Sequence, residues 1–313
     1  MSGEEWLNMD FGADHNDALI GTPQSSIVRP GTKNLIEAPE KAFKTTFLLR
    51  LSVALSTGRT VFPSLPVSQT KRVLYLHGEL SLPEIKERLE GAVQNLPRPL
   101  NNFLQGRSLD ASLVTDEGRE VIRDIVDAHH PDVLVIDPWQ SFIAGTDENN
   151  FKEISGATGF LDRLIEDHNL TVFLAAHQGK NPKKGARGHS SLGGWRDTRF
   201  NLRKSGSSGL TITVEPRWAK PLKDLLFTFK AGTVWEGDGP KWTEQQLQMR
   251  ELVKQGGGTI PRELIGKALG LEGSSLRTAV MRASDVDAIK TSGELVMIPD
   301  ESQSIPESPH PPI

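Results

Sequence analysis

The chain predicts an α/β fold, in which a mostly parallel sheet carries helices on its faces, with a small second module after it. Three observations support this. Short apolar runs alternate with polar stretches of helix length. The runs at 131–138 and 171–176 are apolar across most of their length, as in strands buried on both faces. Several runs end in a chemically capable residue, at the strand tips where ligands of parallel sheets bind.

The first such run is Leu35-Ile36-Glu37, which enters the loop Ala38-Pro39-Glu40-Lys41-Ala42-Phe43. Lys44-Thr45-Thr46 follow, opening a helix with Phe47, Leu48, Leu51, Ala54 and Leu55 on its apolar side. The segment matches the second half of the phosphate-loop pattern G-x-x-x-x-G-K-[ST], with Ala38 and Phe43 standing in the glycine positions. In such a loop the backbone amides of residues 38–46 hold phosphates, Lys44 neutralises the β/γ oxygens and the Thr45 hydroxyl holds Mg²⁺. Read alone, the segment is better taken as an ordinary helix start with an exposed Lys-Thr-Thr.

The strand Arg72–Leu76 ends in His77-Gly78-Glu79, and Ser81 with Glu84 forms a capping box for a helix to about Leu89. Glu79 is placed to orient or deprotonate a water that attacks a γ-phosphate; the alternative is a solvated loop carboxylate. A polar helix at about 115–129 leads to the strand at 131–138, whose tip carries Asp137, a second carboxylate suited to Mg²⁺. A further helix at about 150–168 leads to the strand Thr171–Ala176 and then His177, either a hydrogen-bonding γ-phosphate sensor or a structural histidine.

The order Lys44-Thr45, His77-Gly78-Glu79, Val135-Ile136-Asp137-Pro138, Ala176-His177-Gln178-Gly179-Lys180 and Ala186-Arg187-Gly188-His189-Ser190-Ser191-Leu192 resembles RecA-fold ATPases of the RepA/DnaB hexameric-helicase group. It is similar above all to RepA-related AAA family ATPases of phages and plasmids, over residues 20–235. The resemblance implies a RecA-like P-loop NTPase core with a mostly parallel sheet, ATP and Mg²⁺ as ligands, and a ring or filament of identical subunits on DNA. It assigns Lys44 and Thr45 to phosphate and Mg²⁺, Glu79 as catalytic carboxylate, Asp137 as the second metal acid and His177 as sensor. Arg187 falls in an element that follows a mobile loop near the nucleotide and DNA channel. Arg217 falls where the group places a finger reaching into the neighbouring subunit, and is otherwise a surface arginine on a hairpin between the strands 210–214 and 225–229.

Lys180, Lys183 and Lys184 concentrate positive charge in one loop, able to neutralise phosphates of single-stranded DNA in a channel or simply to solvate a flexible loop. After the glycine-rich stretch at 232–240, the sequence has the punctuation of a small C-terminal winged-helix domain. Thr243 and Gln246 cap a first helix; Pro261 to Gly270 bounds a second; Ser274 or Ser275 caps a third bearing Arg277 and Arg282; and 288–298 reads as a hairpin wing. Arg277 and Arg282 would contact DNA if the third helix enters a groove, while protein docking is the other use of such a module. The expected boundaries are a flexible segment 1–20, an ATPase domain 21–236, the winged helix 241–299 and a disordered Pro-rich tail 300–313.

With 36 Lys+Arg against 40 Asp+Glu the 313-residue chain has a formal net charge of −4, so nucleic-acid affinity must be local. Cysteine is absent, which excludes disulfides and thiolate metal sites and suits a cytoplasmic protein. No apolar stretch approaches the roughly 20 residues needed to span a bilayer. The leading expectation is therefore a Mg²⁺-dependent, helicase-like ATPase acting on DNA. The alternative is a nucleotide-switched winged-helix DNA-binding or adaptor protein without significant ATPase activity.

Overall fold

The computed structural model describes residues 18–98, 100–107, 111–146, 151–178, 191–237, 244–284 and 289–297. The chain divides into two compact units, Met1–Gly239 and Pro240–Ile313.

The first unit opens with a two-stranded ribbon, β1 (Ile20–Thr22) and β2 (Ser25–Val28). Ala18, Leu19 and Ile20 are buried, so the folded core begins earlier than the sequence suggested, because Ile20 pairs with Val28 and its side chain enters the core. Strand β3 (Lys33–Ala38) leads into helix α1 (Lys44–Thr57). There follow β4 (Val73–His77), α2 (Leu82–Ala92), β5 (Phe103–Arg107), α3 (Asp116–His129), β6 (Val133–Asp137), the short α4 (Trp139–Phe142), α5 (Phe151–His168) and β7 (Thr171–His177). The short α6 (Ser191–Trp195) precedes β8 (Thr198–Ser205), β9 (Gly209–Pro216), β10 (Leu222–Lys230) and β11 (Thr233–Glu236).

Nine strands form one sheet in the order β11-β10-β9-β8-β3-β7-β6-β4-β5. From β8 to β5 every neighbouring pair is parallel, whereas β8 to β11 form an antiparallel meander. Strand alternation divides the core in two. Ile36, Val73, Tyr75, Val133, Val135 and Phe173 pack toward α1 and α2, while Leu35, Leu74, Leu134, Ile136, Val172 and Leu174 pack toward α3 and α5.

Helix α1 departs from its amphipathic reading. It is buried almost all round, with Arg50, Ser52 and Ser56 covered along with the apolar residues. Burial lowers the Arg50 pKa to about 10. Its guanidinium donates to the carbonyls of Ala92 and Gln94 and stacks 4.0 Å over the Trp235 ring, tying α1 to the end of α2 and to β11. The same junction brings Gly91 against the β10–β11 turn, where an added Cβ would lie 2.4 Å from the Gly232 carbonyl oxygen. Backbone on both sides cannot yield cheaply. Gly91→Ala is expected to destabilise the protein by about 1–3 kcal/mol, read by chemical denaturation.

The second unit runs α7 (Glu244–Gln255), β12 (Thr259–Pro261), α8 (Arg262–Leu269), α9 (Gly273–Ser284), β13 (Lys290–Ser292) and β14 (Leu295–Met297), with a sheet of order β12-β14-β13. Met249, Val253, Ile265, Val280, Ile289 and Val296 form its core. Thr243, expected to cap the first helix with Gln246, lies outside the described residues, and Gln246 donates to the Arg282 carbonyl. Helix α9 begins at Gly273, with Ser275 inside it and its hydroxyl bonded to the Glu272 backbone. Among the described residues the hairpin begins at Lys290, and β12 was not anticipated because three residues carry too little pattern.

Candidate nucleotide site

The parallel strands end together on one edge of the sheet. Ala38 of β3 stands opposite His177 of β7, and His77 of β4 opposite Asp137 of β6. Backbone bonds hold the ends level: Gln178 N–H donates to Ala38 O at 2.9 Å, and Gly78 N–H to Asp137 O at 3.0 Å. By strand parity, Asp137 and His177 lie on the face that packs against α1. Lys44 opens that helix, and Glu79 follows β4 by two residues.

These groups meet. Lys44 Nζ is 3.5 Å from His177 Nδ1, and His177 Nε2 is 3.5 Å from Glu79 Oε1. With Nδ1 accepting from the ammonium, the imidazole proton sits on Nε2, facing the carboxylate. Burial lowers the Lys44 pKa, and the negative charges of Asp137, Glu79 and Glu40 oppose that shift. Glu79 itself is 55% exposed, open to solvent as a water-orienting carboxylate must be. Asp137 is buried and its Oδ2 accepts from the Tyr75 hydroxyl at 2.6 Å; burial, then the Asp137 charge and this bond, raise the Tyr75 pKa well above its usual value.

The loop keeps the conformation that its missing glycine would supply. Phe43 has φ 57° and ψ 21°, in the left-handed region, and Lys41 has φ 58°. For a residue with a side chain this costs on the order of 1–3 kcal/mol. The Phe43 ring stacks on Phe229 with centroids 4.7 Å apart and planes within 9°, an interaction worth about 0.5–1.5 kcal/mol. The Lys204 ammonium stands 5.8 Å from the Phe43 ring. The stack therefore offsets much of the strain. Beside the loop is a cavity of about 420 Å³, lined by Lys41, Phe43, Thr46, Glu87, Arg88 and Phe229, among others.

The site suits a Mg²⁺-bound nucleoside triphosphate. Lys41 and Phe43 are left-handed immediately before the N-terminus of α1, a kind of backbone in which successive amides can face one anion. Asp137 Oδ1 is buried without a hydrogen-bond partner among the described residues. One buried carboxylate oxygen left without a partner fits Mg²⁺, which takes one or two carboxylates and completes its shell with water and phosphate.

Arg217 does not join these site residues. Arg217 follows β9 at the opposite edge of the sheet, paired with Asp197 at 2.9 Å and 62% exposed. The six residues of β3 put about 20 Å between that edge and the loop, so Arg217 does not reach its own subunit's site. Arg187, Lys180, Lys183 and Lys184 lie outside the described residues. Arg277 and Arg282 are exposed on α9, with the exposed Met281 between them. Sequence reasoning missed Tyr75 and the buried Glu37–Arg199 pair, whose guanidinium Nε donates to Glu37 at 2.8 Å. Its only signal was a carboxylate inside an apolar run.

An α/β core with a lysine-bearing loop and carboxylates on neighbouring strand ends defines a P-loop nucleotide-binding domain. A family profile for the AAA domain matches residues 25–183, slightly over half of the chain, and the chain belongs to that family. No curated protein sequence matches it. Among solved structures, the crystal structure of the RadB recombinase is similar, with a TM-score of 0.47 and 17% identity, covering 67% of this chain and 92% of that one. Among the described residues no helix is long and apolar enough to cross a membrane.

Proposed function

We propose that this protein is a RecA-like, Mg²⁺-dependent ATPase of the RepA/DnaB type, acting on DNA as a ring or filament. The observation that carries the reading is the convergence of Lys44, Glu79, Asp137 and His177 beside a loop whose Phe43, in a glycine position of the pattern, takes a left-handed conformation.

In this reading the loop amides of residues 38–46 and the start of α1 receive the β- and γ-phosphates, and the Lys44 ammonium balances their charge. The nucleoside end extends toward the cavity beside Phe43 and Phe229. Thr45 and Asp137 Oδ1 would hold Mg²⁺, which would neutralise negative charge on the phosphates. Glu79 orients the attacking water and accepts its proton, and His177 registers the γ-phosphate through the nitrogen that now faces Lys44. Arg217, exposed and remote from its own loop, or Arg187 completes a neighbour's site, which makes turnover depend on assembly. In the second unit the order helix, strand, two helices, hairpin supports a winged-helix assignment, with Arg277 and Arg282 on its third helix as DNA contacts. Lys180, Lys183 and Lys184 are the candidate contacts to single-stranded DNA.

The test is steady-state ATP turnover against protein concentration, with and without single-stranded DNA. Turnover that rises with concentration and is stimulated by DNA is the expected result. ATP binding with no turnover under any of these conditions would overturn the motor reading in favour of a nucleotide-switched adaptor.

A further inference from the structure

Tyr75 is the only tyrosine in the chain, and its side chain is completely buried on β4. Packing does not require its hydroxyl. The ring sits beside Phe103, with centroids 6.1 Å apart, in a core where Phe47, Phe62 and Phe173 fill space without a polar atom. A buried hydroxyl must find a partner, and this one donates to Asp137 Oδ2 at 2.6 Å, a short, charge-assisted bond. Strand register explains the meeting. Tyr75 lies opposite Val135, two residues before Asp137 and on the same face of the sheet.

The two oxygens of Asp137 are thereby made different. Oδ2 is engaged, while Oδ1 is buried and unpartnered among the described residues. A carboxylate free to rotate would offer either oxygen or both; here one orientation is fixed from inside the sheet. We propose that Tyr75 is a positioning residue for the metal: its O–H locks the Asp137 carboxylate so that Oδ1 alone is presented to Mg²⁺ or to a water in its shell. Groups that orient a metal ligand without touching the ion commonly set its affinity. The inference rests on the nucleotide site proposed above.

A single tyrosine gives a single probe. In wild-type protein labelled with ¹³C at the tyrosine ζ carbon and saturated with ATP in chelator, adding excess Mg²⁺ is expected to shift the one tyrosine resonance. In Tyr75→Phe, which keeps the ring and removes the donor, the Mg²⁺ concentration that half-restores ATP-dependent thermal stabilisation is expected to rise by about 10- to 100-fold. ATP binding measured in chelator should be unchanged, as a general loss of structure would not leave it. An unmoved resonance in the wild type, or an unchanged Mg²⁺ midpoint in the variant, overturns the role of Tyr75 while leaving the nucleotide site standing. If Tyr75→Phe does not fold, the wild-type resonance decides alone. Wild-type protein that ATP fails to stabilise, with or without Mg²⁺, refutes the site itself and the positioning role with it.

Discussion

Replacing Lys44 with methionine is expected to raise the melting temperature of the ligand-free protein and to weaken ATP binding by about 10- to 100-fold, the range for losing a hydrogen bond to a charged partner. The two effects have one origin. Burial is the largest influence on Lys44 and depresses its pKa, outweighing the attraction of Asp137, Glu79 and Glu40. The folded protein therefore binds this proton less tightly than the unfolded chain does. Below the depressed value both states are protonated and the full penalty is felt by the fold. It is relieved as pH rises through the depressed value toward the ordinary 10.5, so stability gained from this group is present at high pH and lost as pH falls. The advantage of Lys44→Met in thermal melts should accordingly be largest below the depressed value and shrink as pH rises toward 10.5. A bound triphosphate brings negative charge to the Lys44 ammonium, so only the wild type should be strongly stabilised by added ATP. A variant less stable than wild type without ligand would contradict this balance.

Glu79→Gln is expected to lower single-turnover hydrolysis by about 10²- to 10⁴-fold while calorimetric ATP affinity stays at the wild-type value. Glutamine preserves the length of the side chain and a group facing His177 Nε2, 3.5 Å away, but it cannot accept a proton from water. Because Glu79 is more than half exposed, the substitution leaves no buried group stranded, and the fold should tolerate it. Loss of binding together with turnover would instead make Glu79 a structural partner of His177. Unchanged turnover would remove it from the chemistry.

The parallel core was legible because its strands are buried on both faces. Continuous runs such as Val133–Ile136 and Thr171–Ala176 leave little choice of structure, and Ser81 with Glu84 marks the start of α2 as the capping box found there. The missed strands are of another kind. β8 reads TRFNLRKS, with polar residues at alternate positions, and β5 is a five-residue edge strand, largely uncovered. Neither carries the apolar run by which the central strands were found. At the site, Lys44, Glu79, Asp137 and His177 could be picked out because each follows a recognisable strand or loop. Tyr75 could not, since its meaning lies in an oxygen 62 positions along the chain, nor could Arg199, which finds Glu37 at a separation of 162. Phe43 was legible as a departure from a pattern but not in its consequence: only the Phe229 ring shows how a bulky residue is kept in a glycine conformation.

That ring pair bears on how fast the protein can respond to its ligand. A loop rich in glycine samples many shapes when empty and must be ordered each time a phosphate arrives. Here the ordering is done during folding, by two stacked aromatic rings whose chain positions lie on separate elements. Less freedom then remains to be lost on association, so the entropic term of binding is smaller and capture needs less rearrangement. The same rigidity makes the loop a poor source of motion, and any movement that follows hydrolysis must originate in neighbouring segments.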